Sequence, residues 1–181
     1  MPNYIKREKV NHEAPLIMCF MEVIEADENF GIREVVNFGS DSYECSDVEY
    51  LSNSGEYLII EAKSHESKDA YNTRHKIFGQ LLKEHGKQSH MRNRYSASIT
   101  LGILIPKDIT SSGKSNTKQS GYDFYRKGYA DIPEKLFVGF GELTNAKYIF
   151  VCSVETRSID VYTWAGFHRG DKPMHSVISS K

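Results

Sequence analysis

The stretch "YLIIEAKSH", residues 57–65, decides the fold prediction. Its first four residues form an apolar run typical of a buried strand, and the run continues directly into Glu61, an alanine and Lys63. Because side chains alternate between the two faces of a strand, Glu61, Lys63 and His65 are expected on one face. A carboxylate and an ammonium group placed in this way are either a surface salt bridge or a catalytic pair. His65 is interpreted as an exposed residue at the strand end, with tuning of a metal-bound water as the alternative.

Two more strands are predicted before this one, because β-forming runs alternate with turn-forming segments. The first strand covers Glu34–Phe38 and the second covers Cys45–Leu51. They are separated by GSDS at 39–42, and SNSG at 52–55 leads into a third strand at Tyr57–Ser64. The short SNSG turn is compatible with antiparallel pairing of the second and third strands.

Helices are predicted on both sides of these strands from apolar residues at helical spacing. The first helix is expected at about residues 12–27 and is broken by Gly31, and the second at about 68–85. The run Ser96–Ile105 then predicts another buried strand, ended by a proline. The order is therefore α-β-β-β-α-β, which predicts an α/β (α+β) domain with a central mixed sheet flanked by helices.

The remaining residues, 106–181, are predicted to form a C-terminal extension of the same single domain, 1–181. Residues 111–121 are polar and without periodicity, which predicts a mobile loop. Two late strands are expected at Lys147–Ser153 and Ser158–Trp164. Their aromatic residues, Tyr162 and Trp164, are typical of a core or an oligomer interface and less often of a base-stacking platform.

Two carboxylates are expected to meet on neighbouring strands. If the second and third strands pair through the SNSG turn, Asp47 and Glu61 project from one face at adjacent positions. Like charges at this separation repel, and a hard cation such as Mg²⁺ would relieve the repulsion. Lys63 then stands where it can orient or deprotonate a water or stabilise a charged transition state.

This pattern of Asp47, then Glu61-Ala62-Lys63 on the next strand, resembles the PD-(D/E)XK nuclease superfamily, which has the restriction-endonuclease-like fold. The resemblance covers residues 12–105 at most, as a nuclease-like core. It implies that Mg²⁺, or Mn²⁺ in its place, is held by Asp47, Glu61 and the backbone carbonyl of Ala62. It also implies that Lys63 serves the attacking water.

Two further residues match positions that many members of the superfamily use. Glu13, near the start of the first helix, matches an additional metal ligand, although an acidic residue there also favours the helix dipole. Gln80, on the second helix, matches a catalytic glutamine or is an ordinary residue on the helix flank. The proline that precedes the Asp in the family pattern is Ser46 here. Glu49 lies on the same strand face as Asp47 and replaces or joins it as a ligand.

Charge is unevenly distributed along the chain. Residues 1–70 carry 15 Asp and Glu against 6 Lys and Arg, whereas residues 71–130 carry 3 against 11. An acidic segment that holds a cation, followed by a basic one that holds a polyanion, is typical of a metal-dependent enzyme acting on nucleic acid. Clustering of ordinary solvated side chains is the alternative. The candidate nucleic-acid contacts are Arg74, Lys76, Lys83, Lys114 and Lys118.

The sequence therefore predicts a divalent-metal-dependent endonuclease that hydrolyses phosphodiester bonds in DNA. The alternatives are a non-catalytic nucleic-acid-binding or assembly module with the same fold, or an interaction protein in which the Glu-x-Lys pair is an accident. A homodimer is expected by analogy alone. Three widely spaced cysteines and the lack of a long apolar run predict a cytoplasmic protein without disulfides, a zinc site or contact with a membrane.

Overall fold

The computed structural model describes residues 12–38 and 46–179. The first half of the fold contains α1 (Ala14–Ile24), β1 (Ile32–Phe38), β2 (Val48–Ser52), β3 (Tyr57–Ala62), α2 (Ala70–Glu84), α3 (His90–Arg94), a 3₁₀ turn (Ser96–Ser98) and β4 (Ile99–Pro106). The second half contains β5 (Ile109–Ser112), β6 (Thr117–Ser120), α4 (Gly121–Ala130), α5 (Glu134–Thr144), β7 (Ala146–Ser153), β8 (Ser158–Thr163), α6 (Trp164–Arg169) and β9 (His175–Ile178).

A mixed, seven-stranded sheet in the order β1-β2-β3-β4-β7-β8-β9 forms the centre of the molecule. β1, β2 and β3 are an antiparallel meander, and β4 lies parallel to β3 after the α2 crossover. β7 is parallel to β4, and β8 and β9 complete the sheet as antiparallel strands. β5 and β6 pair only with each other, as a separate hairpin.

Helices cover both faces of the sheet. On one face, α1 packs with Leu58, Ile60 and Ala62 of β3 in one apolar cluster. On the other face, α2, α4, α5 and α6 pack against Tyr57 and Ile59 in a second cluster. All six residues of β3 are buried for this reason, and each large side chain contributes about 1.5–3 kcal/mol of hydrophobic stabilisation. The strand that carries Glu61 is thus buried along its whole length.

The predicted order of elements through β4 is confirmed, and so are the two late strands, with boundaries shifted by a few residues. The predicted turn at 39–42 and the predicted strand start at Cys45 lie outside the described residues. The mobile loop predicted at 111–121 is wrong, because these residues include most of the β5–β6 hairpin. Tyr162 and Trp164 belong to the core: Tyr162 packs against Phe167 of α6, and Trp164, the first residue of α6, stacks on Phe137 of α5. Four helices and the strand β9 were not predicted: α3, α4, α5 and α6.

Within the residues that the structure describes, no helix has both the length and the apolar character needed to cross a bilayer.

Candidate active site

The antiparallel register of β2 and β3 brings Asp47 to the end of β3. Val48 pairs with Ile60, so Asp47 precedes the first residue of β2 beside the last residues of β3. Its Oδ2 accepts a hydrogen bond of 2.8 Å from the backbone N–H of Ala62. The carboxylate is therefore held next to the backbone that joins Glu61 to Lys63.

Three oxygen atoms from three different elements surround the ammonium group of Lys63. Its Nζ donates to the carbonyl oxygen of Ala62 at 2.7 Å, and lies 3.5 Å from Oε1 of Glu13 and 3.8 Å from Oδ2 of Asp47. Glu13 reaches this point because it is the N-cap residue of α1, at the end of the helix nearest the tip of β3. Four of the predicted site groups therefore lie close to one another: the side chains of Glu13, Asp47 and Lys63, and the carbonyl of Ala62.

Glu61 lies beside this group, on the face of the sheet covered by α2. Only 4% of its surface is exposed, and its carboxyl group is hydrogen-bonded to that of Glu84 on α2. Burial, followed by repulsion from Asp47, raises the pKa of Glu61 to about 8, against a smaller opposing effect of Lys63. Burial also raises the pKa of Glu13, again opposed by Lys63. Both carboxyl groups resist ionisation in the protein without a bound cation.

A buried arginine organises the far side of the same cluster. Arg92 of α3 donates to both carboxylate oxygens of Glu49, at 2.9 and 2.7 Å, and to the carboxylate of Glu84 at 2.7 Å. Glu49 also accepts hydrogen bonds from Tyr57 and Ser46. Because its oxygens are used in this way, Glu49 belongs to a structural network, and Asp47 is the better candidate ligand.

The residue set fits a hard divalent cation. Among residues 12–38 and 46–179, five carboxyl groups (Glu13, Asp47, Glu49, Glu61 and Glu84) form a network that also contains Lys63, Lys87 and Arg92. The candidate donors of this network are oxygen atoms, as Mg²⁺ prefers. Within residues 12–38 and 46–179, however, no three His, Cys, Asp or Glu side chains are close enough to hold a metal by themselves. In this structure the Lys63 ammonium lies among the oxygens of Glu13, Asp47 and Ala62.

Gln80 lies on α2 one turn before Glu84. Its Oε1 is buried and has no hydrogen-bond partner among the described residues. A buried amide oxygen without a partner costs about 1–3 kcal/mol. A ligand or water that donates to this oxygen would remove that cost, which is consistent with the predicted catalytic role of Gln80.

Of the predicted nucleic-acid contacts, Arg74 is in the core. It is 7% exposed, it donates to the carbonyl of Phe124 at 2.8 Å, and its guanidinium packs over the Phe124 ring at 4.7 Å. It fills space left by Gly128, where an added Cβ would lie 1.9 Å from the guanidinium carbon. The prediction that Arg74 contacts phosphate is therefore wrong for this conformation. The other four candidates are exposed: Lys76, Lys83, Lys114 and Lys118.

His65 also differs from its prediction. It is fully buried rather than exposed, and its Nε2 lies 3.0 Å from the carbonyl oxygen of Gln119 and 3.1 Å from Oγ1 of Thr110. Burial lowers the pKa of its imidazole. The residue therefore anchors the β5–β6 hairpin.

The sequence analysis missed Glu84 and Arg92. Glu84 follows Ile77 and Leu81 on the buried side of α2, so its place in the apolar pattern was a usable signal. Arg92 had no such signal, because α3 is only five residues long and its partners lie 43 and 8 residues away in the sequence.

Comparison of the chain with family models, with curated proteins and with solved structures finds no match.

Proposed function

We propose that this protein is a divalent-metal-dependent endonuclease that hydrolyses phosphodiester bonds in DNA. The observation that carries the proposal is the convergence of Glu13, Asp47 and the Ala62 carbonyl on one cation position at the end of β3. Glu61 adds a buried carboxyl group beside it. The gathering of these oxygen atoms supports metal-assisted hydrolysis of a phosphodiester, which uses oxygen ligands to hold its ion.

Asp47, Glu61, Glu13 and the Ala62 carbonyl would hold Mg²⁺ or Mn²⁺. A bound ion of this kind neutralises charge on the phosphate and makes a coordinated water more acidic. Lys63, displaced from the oxygens that it contacts in this structure, would orient the attacking water and stabilise the charge that develops on the phosphate. Gln80 would donate to or accept from the same water network.

The order of the elements supports a restriction-endonuclease-like core within the fold. Apart from the short α3 that follows α2, the order of the elements through β4 is the α-β-β-β-α-β order that the resemblance implies. Asp47 immediately precedes β2, Glu61 and Ala62 end β3, and Lys63 directly follows it, which supports the match to the motif. Homodimer formation and a cytoplasmic location stay predictions.

The exposed lysines would bind the DNA backbone. Lys76 and Lys83 project from α2, next to the candidate site, and Lys114 and Lys118 from the β5–β6 hairpin. Contacts of this kind bind DNA without regard to sequence and weaken with salt.

The test is incubation with supercoiled, linear, branched and single-stranded DNA in Mg²⁺, Mn²⁺ or EDTA. We expect cleavage that requires metal and is lost in Glu61→Gln and Asp47→Asn. Glu22→Gln is the matched control, because Glu22 is an exposed glutamate that pairs with Arg157 on the surface. A wild-type protein that binds DNA equally well in EDTA and never cleaves it would favour the non-catalytic binding module.

A further inference from the structure

The β5–β6 hairpin has two different faces. Thr110 pairs with Gln119 and Ser111 with Lys118, so the members of each pair share a face. The first pair faces the body of the protein, where Thr110 contacts His65. The second face is turned away from it, and it carries exposed Ile109 and Lys118.

The hairpin is fixed to the chain that directly follows Lys63. His65 contacts both of its strands through Nε2, which lies near the Gln119 carbonyl on β6 and the Thr110 hydroxyl on β5. The N–H of Gly113, in the turn, donates to the carbonyl of Ser67 at 3.3 Å. Two residues of one short connection, His65 and Ser67, therefore hold the hairpin at its base and at its tip.

The chemistry of the contact defines the state of His65. A carbonyl oxygen only accepts hydrogen bonds, so Nε2 must carry the proton that it donates to Gln119. Nδ1 is then an acceptor, and it is buried without a partner among the described residues. The ring therefore contacts the hairpin through its Nε2 atom.

The turn of the hairpin is basic and exposed, so it can contact a polyanion. Residues 111–120 contain Lys114 and Lys118 and no acidic residue, and residues 114–118 are all exposed. A two-stranded ribbon of this width fits the major groove of duplex DNA, with its lysines near the phosphates. A ribbon that keeps a fixed orientation also binds without the cost of being ordered on binding.

We infer that the β5–β6 hairpin is an arm for duplex DNA, and that His65 is the positioning residue that sets the arm relative to Lys63. The inference rests on the proposed function and deepens it, because it gives the substrate as a duplex that spans both the candidate site and the hairpin. Loss of the His65 contact leaves the lysines in place but frees the arm, so binding must order it again.

The test compares three substitutions of His65. His65→Gln keeps an N–H donor at the position of Nε2, His65→Asn places its donor at the position of Nδ1, and His65→Leu has none. We expect KM for a long duplex to rise about tenfold in the Leu and Asn variants, equivalent to about 1.4 kcal/mol. The Gln variant should return towards the wild-type value, and kcat should change less than KM in all three.

The control substitution is His168→Leu, since His168 is also a buried histidine whose Nε2 contacts a backbone carbonyl, that of Ile132 at 2.7 Å. A second control substrate, bis(p-nitrophenyl) phosphate, is too small to reach the hairpin. The increase in KM should be about tenfold larger for the duplex than for this diester. If His65→Leu does not fold, Thr110→Val removes the hydroxyl contact on β5 and should raise the duplex KM by a smaller factor in the same direction.

Two results would overturn the inference. Equal losses with the duplex and the small diester would mean that His65 supports Lys63 locally and not the arm. Equal KM values in the Gln, Asn and Leu variants would mean that the Nε2 donor is unimportant. Binding of the same duplex in Ca²⁺, measured by fluorescence anisotropy, separates this inference from the proposed function. A protein that never cleaves but binds duplex with the same Gln-against-Leu difference would refute the nuclease and retain the arm.

Discussion

Replacement of Glu61 by Gln should stabilise the protein in the absence of metal, although it removes a candidate catalytic residue. Burial and the nearby Asp47 carboxylate raise the pKa of Glu61 from 4.5 to about 8. Gln has the same shape as the protonated side chain and cannot ionise. The substitution therefore removes the cost of a buried negative charge.

The sign and size of this effect depend on pH. Below pH 4.5 the folded and the unfolded chain both hold the proton, so the substitution changes little. Between pH 4.5 and 8 the folded chain keeps a proton that the unfolded chain has released, so the free energy of unfolding of the wild type falls as the pH rises. Each tenfold change in the acid constant is worth about 1.4 kcal/mol, which gives roughly 4–5 kcal/mol above pH 8. For a chain of this length, that is on the order of 10 °C in Tm.

The assay is thermal unfolding of the wild type and Glu61→Gln in EDTA from pH 5 to pH 9. The variant should gain an advantage that grows over this range, and Mg²⁺ should stabilise the wild type far more than the variant. Glu22→Gln is the control, because it removes a carboxylate on the exposed surface of α1 and not a buried one. A Tm difference that is the same at pH 5 and pH 9 would refute the reasoning, because a buried charge would then carry no cost.

The remaining predictions concern three other positions. Lys63→Met should strengthen Mg²⁺ binding, measured by calorimetry, because the Lys63 ammonium contacts the same oxygen atoms. The same substitution should slow cleavage by about 10² or more. Weaker Mg²⁺ binding in the variant would contradict this prediction. Arg92→Met should lower the free energy of unfolding in urea by about 3–5 kcal/mol, because it leaves buried carboxylates without their counter-ion. Its control, Arg157→Met, breaks an exposed pair and should shift the unfolding midpoint far less. Gly128→Ala should destabilise the fold by about 1–3 kcal/mol in the same assay, since the new Cβ would overlap the buried guanidinium of Arg74 and force it to move. An unchanged midpoint would show that Arg74 moves aside freely.

Elements whose pattern depends on burial could be predicted from the sequence. β3 and β4 are continuous apolar runs, and α2 has an apolar stripe that ends in Glu84. The β5–β6 hairpin could not be predicted in this way, because apart from Ile109 its strands are made of Ser, Thr, Lys and Gln. The hairpin is held by the pairing of its two strands and by contacts with His65 and Ser67. Both of these residues are distant from the hairpin in the sequence.

The candidate site likewise contains some residues whose positions could be predicted from the sequence and others whose positions could not. Asp47, Glu61 and Lys63 lie on one strand-turn-strand unit, so local register was enough to bring them together. The burial of Arg74 depends on Gly128, 54 residues later on α4, and no local pattern reports such a pairing. The charge of Arg74 predicted a surface contact, but packing between α2 and α4 buries its side chain.

The position of Lys63 links the stability of the protein to its proposed chemistry. The single ammonium group of Lys63 lies near two carboxylates at once, those of Glu13 and Asp47, and burial together with repulsion from Asp47 still raises the pKa of the neighbouring Glu61. The protein without metal therefore carries an electrostatic cost at the end of its best-buried strand. A divalent cation at the same point would remove that cost and release both the Glu61 proton and the Lys63 side chain. The strain that weakens the metal-free fold is thus expected to be the source of its affinity for Mg²⁺, and the lysine set free by binding is the group that the reaction needs.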